Sequence, residues 1–337
     1  MYGPMAIPQT TVLMSCHNAS VYLSGAIESI LQQTYSDYEL LLINDGSTDN
    51  TLEIVKEYAS QDKRIVVVDK KNTGLADSLN RGLDLARGEW IARLDADDVA
   101  LPDRLAKQMS FVQQNEAVVL LGTGCIIIDG SGREAGHYRY PTDHDSLVRQ
   151  LRTYGRPFPH SSVVFHKETV ADIGGYNRRF VRSQDYDLWL RLSEIKTIAC
   201  LPEALVKIRK HPSGISNDNG GSTALTMGTA AAVCHFIRAS DAPDPSQGGD
   251  DRAWERFLHW LVEQMEREPS FESYRQWLNM RRDFSSSIES GDRLGAVLRL
   301  AGGLLISGHA CRILQNRLRR PNFHPQLAEK WLQTHAN

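Results

Sequence analysis

The sequence predicts an α/β fold: a mostly parallel sheet flanked by helices, followed by a C-terminal α-helical extension. Two observations carry this. Residues 11–94 alternate short apolar runs with segments whose apolar residues recur at spacings of three and four, and strand–helix units in series build parallel sheets covered by helices. Polar clusters also follow three of those runs: Cys16-His17-Asn18, Asn44-Asp45-Gly46 and Asp95-Ala96-Asp97-Asp98. Ligands of such sheets bind beyond the carboxyl ends of strands, so the clusters mark where a site is expected.

Residues 11–16 form the first apolar run, and 20–33 follow with helical spacing at 23, 26, 27, 30 and 31. Residues 39–44 (ELLLIN) are almost continuously apolar, as in a strand buried on both faces. Asp45-Gly46-Ser47-Thr48 is a turn and cap signal opening a helix over 50–59. Residues 64–68 are a third strand, 75–86 a third helix and 89–94 a fourth strand. Pro102 suits the first turn of a helix that runs to about 114. Residues 117–129 are rich in β-formers, and Asp129-Gly130-Ser131-Gly132 is a hairpin signal. Residues 161–166 and 197–208 read as strands and 183–194 as a helix. Polar, glycine-rich stretches break the pattern at 212–223 and 239–250. The domain expectation is a leader over 1–9, a first domain over 10–216 in two parts (10–115 and 116–216), a linker over 217–250 and a helical extension over 251–337.

Composition excludes several classes. With 38 basic and 41 acidic residues the net charge is −3, which disfavours a nucleic-acid partner held by phosphate contacts. The five cysteines are scattered and form no C-x-x-C pair, which fits a reducing compartment and no disulfide framework. The N-terminal residues show no signal-peptide pattern, and no apolar run is long enough to span a bilayer, so a cytoplasmic location is expected. No G-x-G-x-x-G follows the first strand, which disfavours a dinucleotide dehydrogenase.

Individually, the polar clusters are ambiguous. Asp45 can accept from a ribose or a base, or simply cap the next helix. Asp95 and Asp97 can share a cation or a diphosphate, since hard oxygens suit Mg²⁺ or Mn²⁺. They can equally stabilise the start of the helix behind Pro102. Asn72 and Arg81 flank a turn and a helix. Asp185, in Gln184-Asp185-Tyr186-Asp187, is either a helix cap or a base facing a pocket.

Their order and spacing resemble the family 2 glycosyltransferases, which have the GT-A fold. The resemblance covers roughly residues 10–216, through TVLMSCHNASVYLSGAIESILQQTYSDYELLLINDGSTDNTLEIV, NTGLADSLNRGLDLARGEWIARLDADDVALPDRL, HSSVVFHKE, GGYN and SQDYDLWLRL. It implies nucleotide-side roles for Ser15, His17, Asn18, Asp45, Asn72, Arg81 and Asp95. Asp97 and His211 would face a Mn²⁺ or Mg²⁺ ion, and Asp185 would be the catalytic base. Many members carry Pro-x-Tyr-Asn where this chain has Ser15-Cys16-His17-Asn18, so no tyrosine stands at position 17. Single-base chemistry would invert the anomeric centre. Neither the Q-x-x-R-W motif nor the membrane helices of processive members is found, which favours addition of one sugar to a saccharide or lipid-linked acceptor in surface-polysaccharide assembly. The competing readings are a sugar-nucleotide pyrophosphorylase and a non-catalytic nucleotide-sugar-binding protein. The first would want a glycine-rich basic loop where SCHNAS stands, and the intact aspartates argue against the second.

In the extension, Trp254, Phe257, Leu258 and Leu261 have helical spacing and read as core. Residues 293–320 hold six arginines and no acid, interleaved with leucines. This stretch suits either contact with an anionic membrane surface or packing on the catalytic domain.

Overall fold

The computed structural model describes residues 7–153, 155, 157–211, 221–267 and 323–335. Two compact units divide the chain, one of residues 1–151 and 156–211, the other of 152–155 and 212–337.

The first unit is built on one sheet ordered β3-β2-β1-β4-β8-β6-β9-β5, with β7 paired to β6. Its strands are β1 (Thr10–Cys16), β2 (Tyr38–Asp45), β3 (Ile65–Lys70), β4 (Trp90–Arg93), β5 (Val99–Ala100), β6 (Val118–Asp129), β7 (Glu134–Tyr138), β8 (Val164–His166) and β9 (Thr197–Lys210). From the pairings, β1, β2, β3, β4, β6 and β9 run one way and β5, β7 and β8 the other. The helices are α1 (Leu23–Leu31), α2 (Thr51–Gln61), α3 (Leu75–Leu85), α4 (Arg104–Gln114), α5 (His144–Arg152), α6 (Lys167–Asp172) and α7 (Gln184–Ile195). All eight residues of β2 are buried, as its unbroken apolar run requires. Val12, Leu40 and Ala92 lie side by side across β1, β2 and β4, and with Leu23, Ile27, Leu105 and Met109 belong to one core.

Asp95–Asp98 do not cap α4. That helix starts at Arg104, after the short strand β5, so the acids form a loop at the strand edge. The α4 face carries Arg104 and Gln108 into the core. Arg104 Nη2 donates to the carbonyls of Arg93 (2.8 Å) and Val163 (3.0 Å). Gln108 Nε2 donates to those of Ser162 (2.9 Å) and Leu121 (3.2 Å). These bonds satisfy buried carbonyls and lock the 3-10 turn His160–Ser162 against the end of β4. Helix α5, which carries no sequence expectation, buries Leu147 and Leu151.

The second unit contains α8 (Gly221–Arg238), α9 (Asp251–Glu266) and α10 (Phe323–His335). The expected linker over 217–250 is therefore corrected: much of it is helix α8, whose residues from Thr229 to Cys234 are buried. The connection after it is held too, since the buried Asp244 pairs with Arg238 and accepts from the Ser246 N–H at 2.7 Å. Its string of Ala, Pro, Ser and Gly hid this in the sequence. Trp254, Phe257 and Leu261 are buried core on α9, and the Phe257 and Trp331 rings meet at 5.1 Å. Residues 293–320 lie outside the described residues. Among the described residues, no helix is long and apolar enough to cross a membrane.

Candidate active site

The loops after β1 and β2 are laced together. Asn18 adopts a left-handed backbone (φ 49°), which Asn tolerates better than most residues, and its Oδ1 accepts from the Thr48 N–H at 2.8 Å. The N–H groups of Asn18, Ala19 and Ser20 donate to Ser47 Oγ, Thr51 Oγ1 and Asp49 Oδ2. Burial works against the Asp49 carboxylate, yet hydrogen bonds from Thr51 and Ser20 hold it down at about 2. His17 Nδ1 lies 2.9 Å from the Asp45 carbonyl. A carbonyl only accepts, so Nδ1 is the donor, and in the tautomer that carries its proton there Nε2 is an acceptor. The Asn72 amide nitrogen is nearly equidistant from the two ring nitrogens, 3.1 and 3.3 Å, which places it over the imidazole face. Ser15 sits partly buried on β1, opposite Ile43.

Asp45 ends β2 and is buried. Its carboxylate accepts from the N–H groups of Thr73 (2.9 Å) and Gly74 (3.0 Å) and pairs with Lys70. It therefore holds the 70–74 loop. Gly46 makes this approach feasible: φ is +66°, and an added Cβ would fall 2.6 Å from the Asn72 nitrogen.

The acid loop after β4 is the second cluster. The fully buried Arg93 pairs with Asp95 Oδ1. Ser161 Oγ donates to Asp95 Oδ2 (2.8 Å), accepts from the Asp95 N–H (3.0 Å) and meets Asp98 Oδ2. Desolvation acts against the Asp95 charge, but Arg93, His160 and Ser161 hold its carboxyl below the usual range. Asp98 is the opposite case. Burial, then the charges of Asp95 and Asp97, push it well above the carboxylate range. Ser161 Oγ thus links the two carboxyls, one held below the usual range and one pushed above it. Asp97 Oδ2 lies 2.9 Å from His211 Nε2, and burial and Asp95 raise its carboxyl while His211 opposes them.

The third cluster opens α7. Ser183 precedes the helix in a left-handed conformation (φ 59°), and Asp185 follows, half-buried, with Oδ1 accepting from the Tyr186 N–H at 2.9 Å. Its other oxygen takes no hydrogen bond from a described residue. The Tyr176 hydroxyl meets His160 Nε2 at 2.8 Å, and its ionisation is pushed up by burial, eased by Arg93 and opposed further by Asp185 and Asp95. Tyr176 thus stands within electrostatic reach of both aspartates.

The structure gathers His17, Asn18, Asp45 and Asn72 in one group and Asp95, Asp97 and His211 in another. Cys16, on the strand between them, feels Arg93 and Asp95. Arg81 is not drawn in: it is exposed on α3, while its neighbour Asn80 exchanges two 2.8 Å hydrogen bonds with the Tyr176 backbone. Asp97 and His211 offer one carboxylate oxygen and one imidazole nitrogen to a common point. Among the described residues, no three His, Cys, Asp or Glu side chains gather as a metal cage. The chemistry of the pair suits a divalent ion, and the crowded negative charge around Asp97 is what a cation would relieve.

Residues 11–174 match the family described as Glycosyl transferase family 2. EpsE of Bacillus subtilis is 36% identical over 208 residues, covering 60% of this chain and 73% of that protein. The O-antigen biosynthesis glycosyltransferase WbnJ of Escherichia coli is 35% identical over 205 residues, 60% of this chain and 79% of that protein. The chain belongs to glycosyl transferase family 2. The fold of this family 2 member is also that of S. aureus TarS 1–349 solved with UDP-GlcNAc, at a TM-score of 0.56 and 14% identity, covering 97% of this chain and 92% of that one. This is the expected GT-A fold.

Sequence reasoning assigned no role to Arg93, Ser161, His160, Tyr176, Lys70, Tyr22 or Arg209 in this transferase. Arg93 carried a readable signal, an arginine inside the buried run EWIARL. Ser161, His160 and Tyr176 stand in the stretches HSSVVFHKE and GGYN, but the partners of Ser161 lie 66 and 63 residues away, the Asn80 partner of the Tyr176 backbone lies 96 away, and His160 meets Tyr176 only in the fold.

Proposed function

We propose that this glycosyltransferase moves one sugar from a UDP-sugar to a hydroxyl of a saccharide or lipid-linked saccharide, with inversion, in cell-surface polysaccharide biosynthesis. One observation carries the reading. Asp95, tied down and held below the usual carboxylate range at the edge of β4, and Asp185, with one carboxylate oxygen that takes no hydrogen bond from a described residue, both act electrostatically on Tyr176, which meets His160. One group is fixed and charged and the other is available, as donor binding and proton abstraction demand.

The nucleotide would lie along the His17–Asn18–Asp45–Asn72 group. Each carboxylate oxygen has two lone-pair sites, so Asp45 can keep its loop and still accept from a ribose hydroxyl or a base N–H. His17 offers Nε2 as an acceptor there. Asp97 and His211 would hold Mn²⁺ or Mg²⁺, which when bound neutralises charge on a diphosphate leaving group. Asp185 takes the proton of the attacking hydroxyl, and a single base suffices for in-line attack. The UDP-GlcNAc complex of TarS supports the donor class, and the WbnJ name supports the pathway class. A cytoplasmic enzyme touching the inner membrane surface through 293–320 would meet lipid-linked acceptors there.

The test is a panel of nucleotide-sugars with Mn²⁺ or Mg²⁺, reading thermal shift and slow donor hydrolysis. UDP-sugars should stabilise the protein most. No response to any nucleotide would sink the proposal.

A further inference from the structure

Resting on the reading of Asp97 and His211 as the metal pair, we propose that Tyr22 and Arg209 are positioning residues that fix the geometry of that pair. Three remote segments meet there: Tyr22 just before α1, the β6–β7 hairpin tip at Asp129–Gly130, and the end of β9. Arg209 grips the acid loop on both sides of the Asp97 side chain. Its Nε donates to the Asp97 carbonyl at 2.9 Å, and its backbone N–H donates to Asp98 Oδ1 at 2.8 Å. Its Nη1 reaches the carbonyls of Asp129 (3.3 Å) and Gly130 (3.4 Å), which anchors the hairpin tip to the same point.

The Arg209 guanidinium lies 4.5 Å from the centre of the Tyr22 ring, and the His211 ring lies 4.8 Å from it at 58°. Arg209 lies on β9 and His211 just past its end, and both side chains meet the Tyr22 ring, so one aromatic ring serves both. The far end of that ring is closed off. A Cβ on Gly130 would fall 3.2 Å from the Tyr22 hydroxyl and 3.8 Å from His211 Cβ. His211 is thus held between Tyr22 and Asp97, and Asp97 between His211 and Arg209. Each contact restricts the pair without adding a ligand. Groups that orient metal ligands from behind commonly change metal affinity 10- to 100-fold when removed.

The experiment measures Mn²⁺ binding to the full chain by electron paramagnetic resonance, with thermal midpoint as a control on folding. Tyr22→Leu and Arg209→Lys should each weaken Mn²⁺ binding about tenfold or more, and raise the donor KM more than they lower kcat. Tyr22→Phe should keep Mn²⁺ affinity, because the ring face rather than the hydroxyl makes both contacts. A purely structural role would lower the midpoint and leave affinity in the folded protein unchanged, which overturns the proposal. If Tyr22→Leu fails to fold, Gly130→Ala decides, since its Cβ presses on the hydroxyl end of the ring from a half-buried turn: a several-fold loss of affinity supports the proposal, and no loss overturns it. Absence of Mn²⁺ binding in the unmodified protein removes the metal reading itself, whereas binding that ignores these variants removes this proposal alone.

Discussion

Ser161 Oγ lies 2.8 Å from Asp95 Oδ2, across 66 residues of chain. The bond joins the acid loop after β4 to the turn before β8, and those two strands are neighbours in the sheet. With Arg93 on the other carboxylate oxygen, Asp95 is held in one orientation and below the usual carboxylate range. Asp98, behind Ser161, is pushed the opposite way. A single hydroxyl thus sits between two carboxyls shifted in opposite directions.

Removing that hydroxyl should cost both stability and donor binding. Ser161→Ala leaves Asp98 and the Asp95 N–H without their shared partner, a loss of about 1–3 kcal/mol. At this size each kcal/mol is worth about 2–4 °C. Calorimetry should show a lower midpoint for the variant, and titration with nucleotide-sugar a higher Kd. An unchanged midpoint and Kd would mean that water replaces the hydroxyl at no cost.

Asp185→Asn should keep donor affinity and lose transfer. The substitution preserves size and the Oδ1 contact with Tyr186 but removes the base, and kcat should fall by about 10²–10⁴. Equilibrium dialysis of the donor and a product assay separate the two effects. Retained transfer would place the base elsewhere.

Gly46→Ala strains a left-handed position and drives a methyl into the Asn72 backbone. We expect a destabilisation of about 2 kcal/mol or more and a weaker nucleotide complex, because the 70–74 loop must leave Asp45. The paired readouts are denaturant midpoint and nucleotide Kd.

The helical unit should be acid-sensitive. His324 is buried, and burial pushes its pKa down to about 4 from 6.5. The unfolded chain therefore takes up this proton first. The neutral histidine costs nothing above pH 6.5, and stability falls as pH drops from 6.5 towards 4, by about 1.4 kcal/mol per unit. His324→Gln should flatten this slope between pH 6.5 and 4.5 in denaturant titrations followed by tryptophan fluorescence. Equal slopes in the two proteins would show that other groups set it.

Replacing the six arginines of 293–320 with serine should abolish sedimentation with anionic vesicles. Equal pelleting of both proteins would exclude this stretch as the membrane contact.

The strand edge was legible because strands buried on both faces leave continuous apolar runs, and the polar residues that end them stand out. Asp45, Asp95 and Asp97 were found that way. Helix α8 was not, because the glycines and serines around its start look like a linker and its alanine-rich middle has a weak period. Arg81 was expected on the nucleotide side through the family resemblance, and it stands exposed on α3 while its neighbour Asn80 bonds the Tyr176 backbone.

The sequence alone determined the alternation of strands and helices over residues 10–94 and which carboxylates stand at the sheet edge, since these follow from local periodicity, and the resemblance of its motifs pointed to the family. Tertiary structure decided what each carboxylate does. Asp45 grips a loop, Asp95 is held below the usual carboxylate range, Asp98 is pushed above it, and Asp97 is set against His211. Those differences come from Arg93, Ser161, Lys70 and Arg209, which reach the aspartates by sheet pairing and helix packing, and from burial, which exists only once the chain is folded.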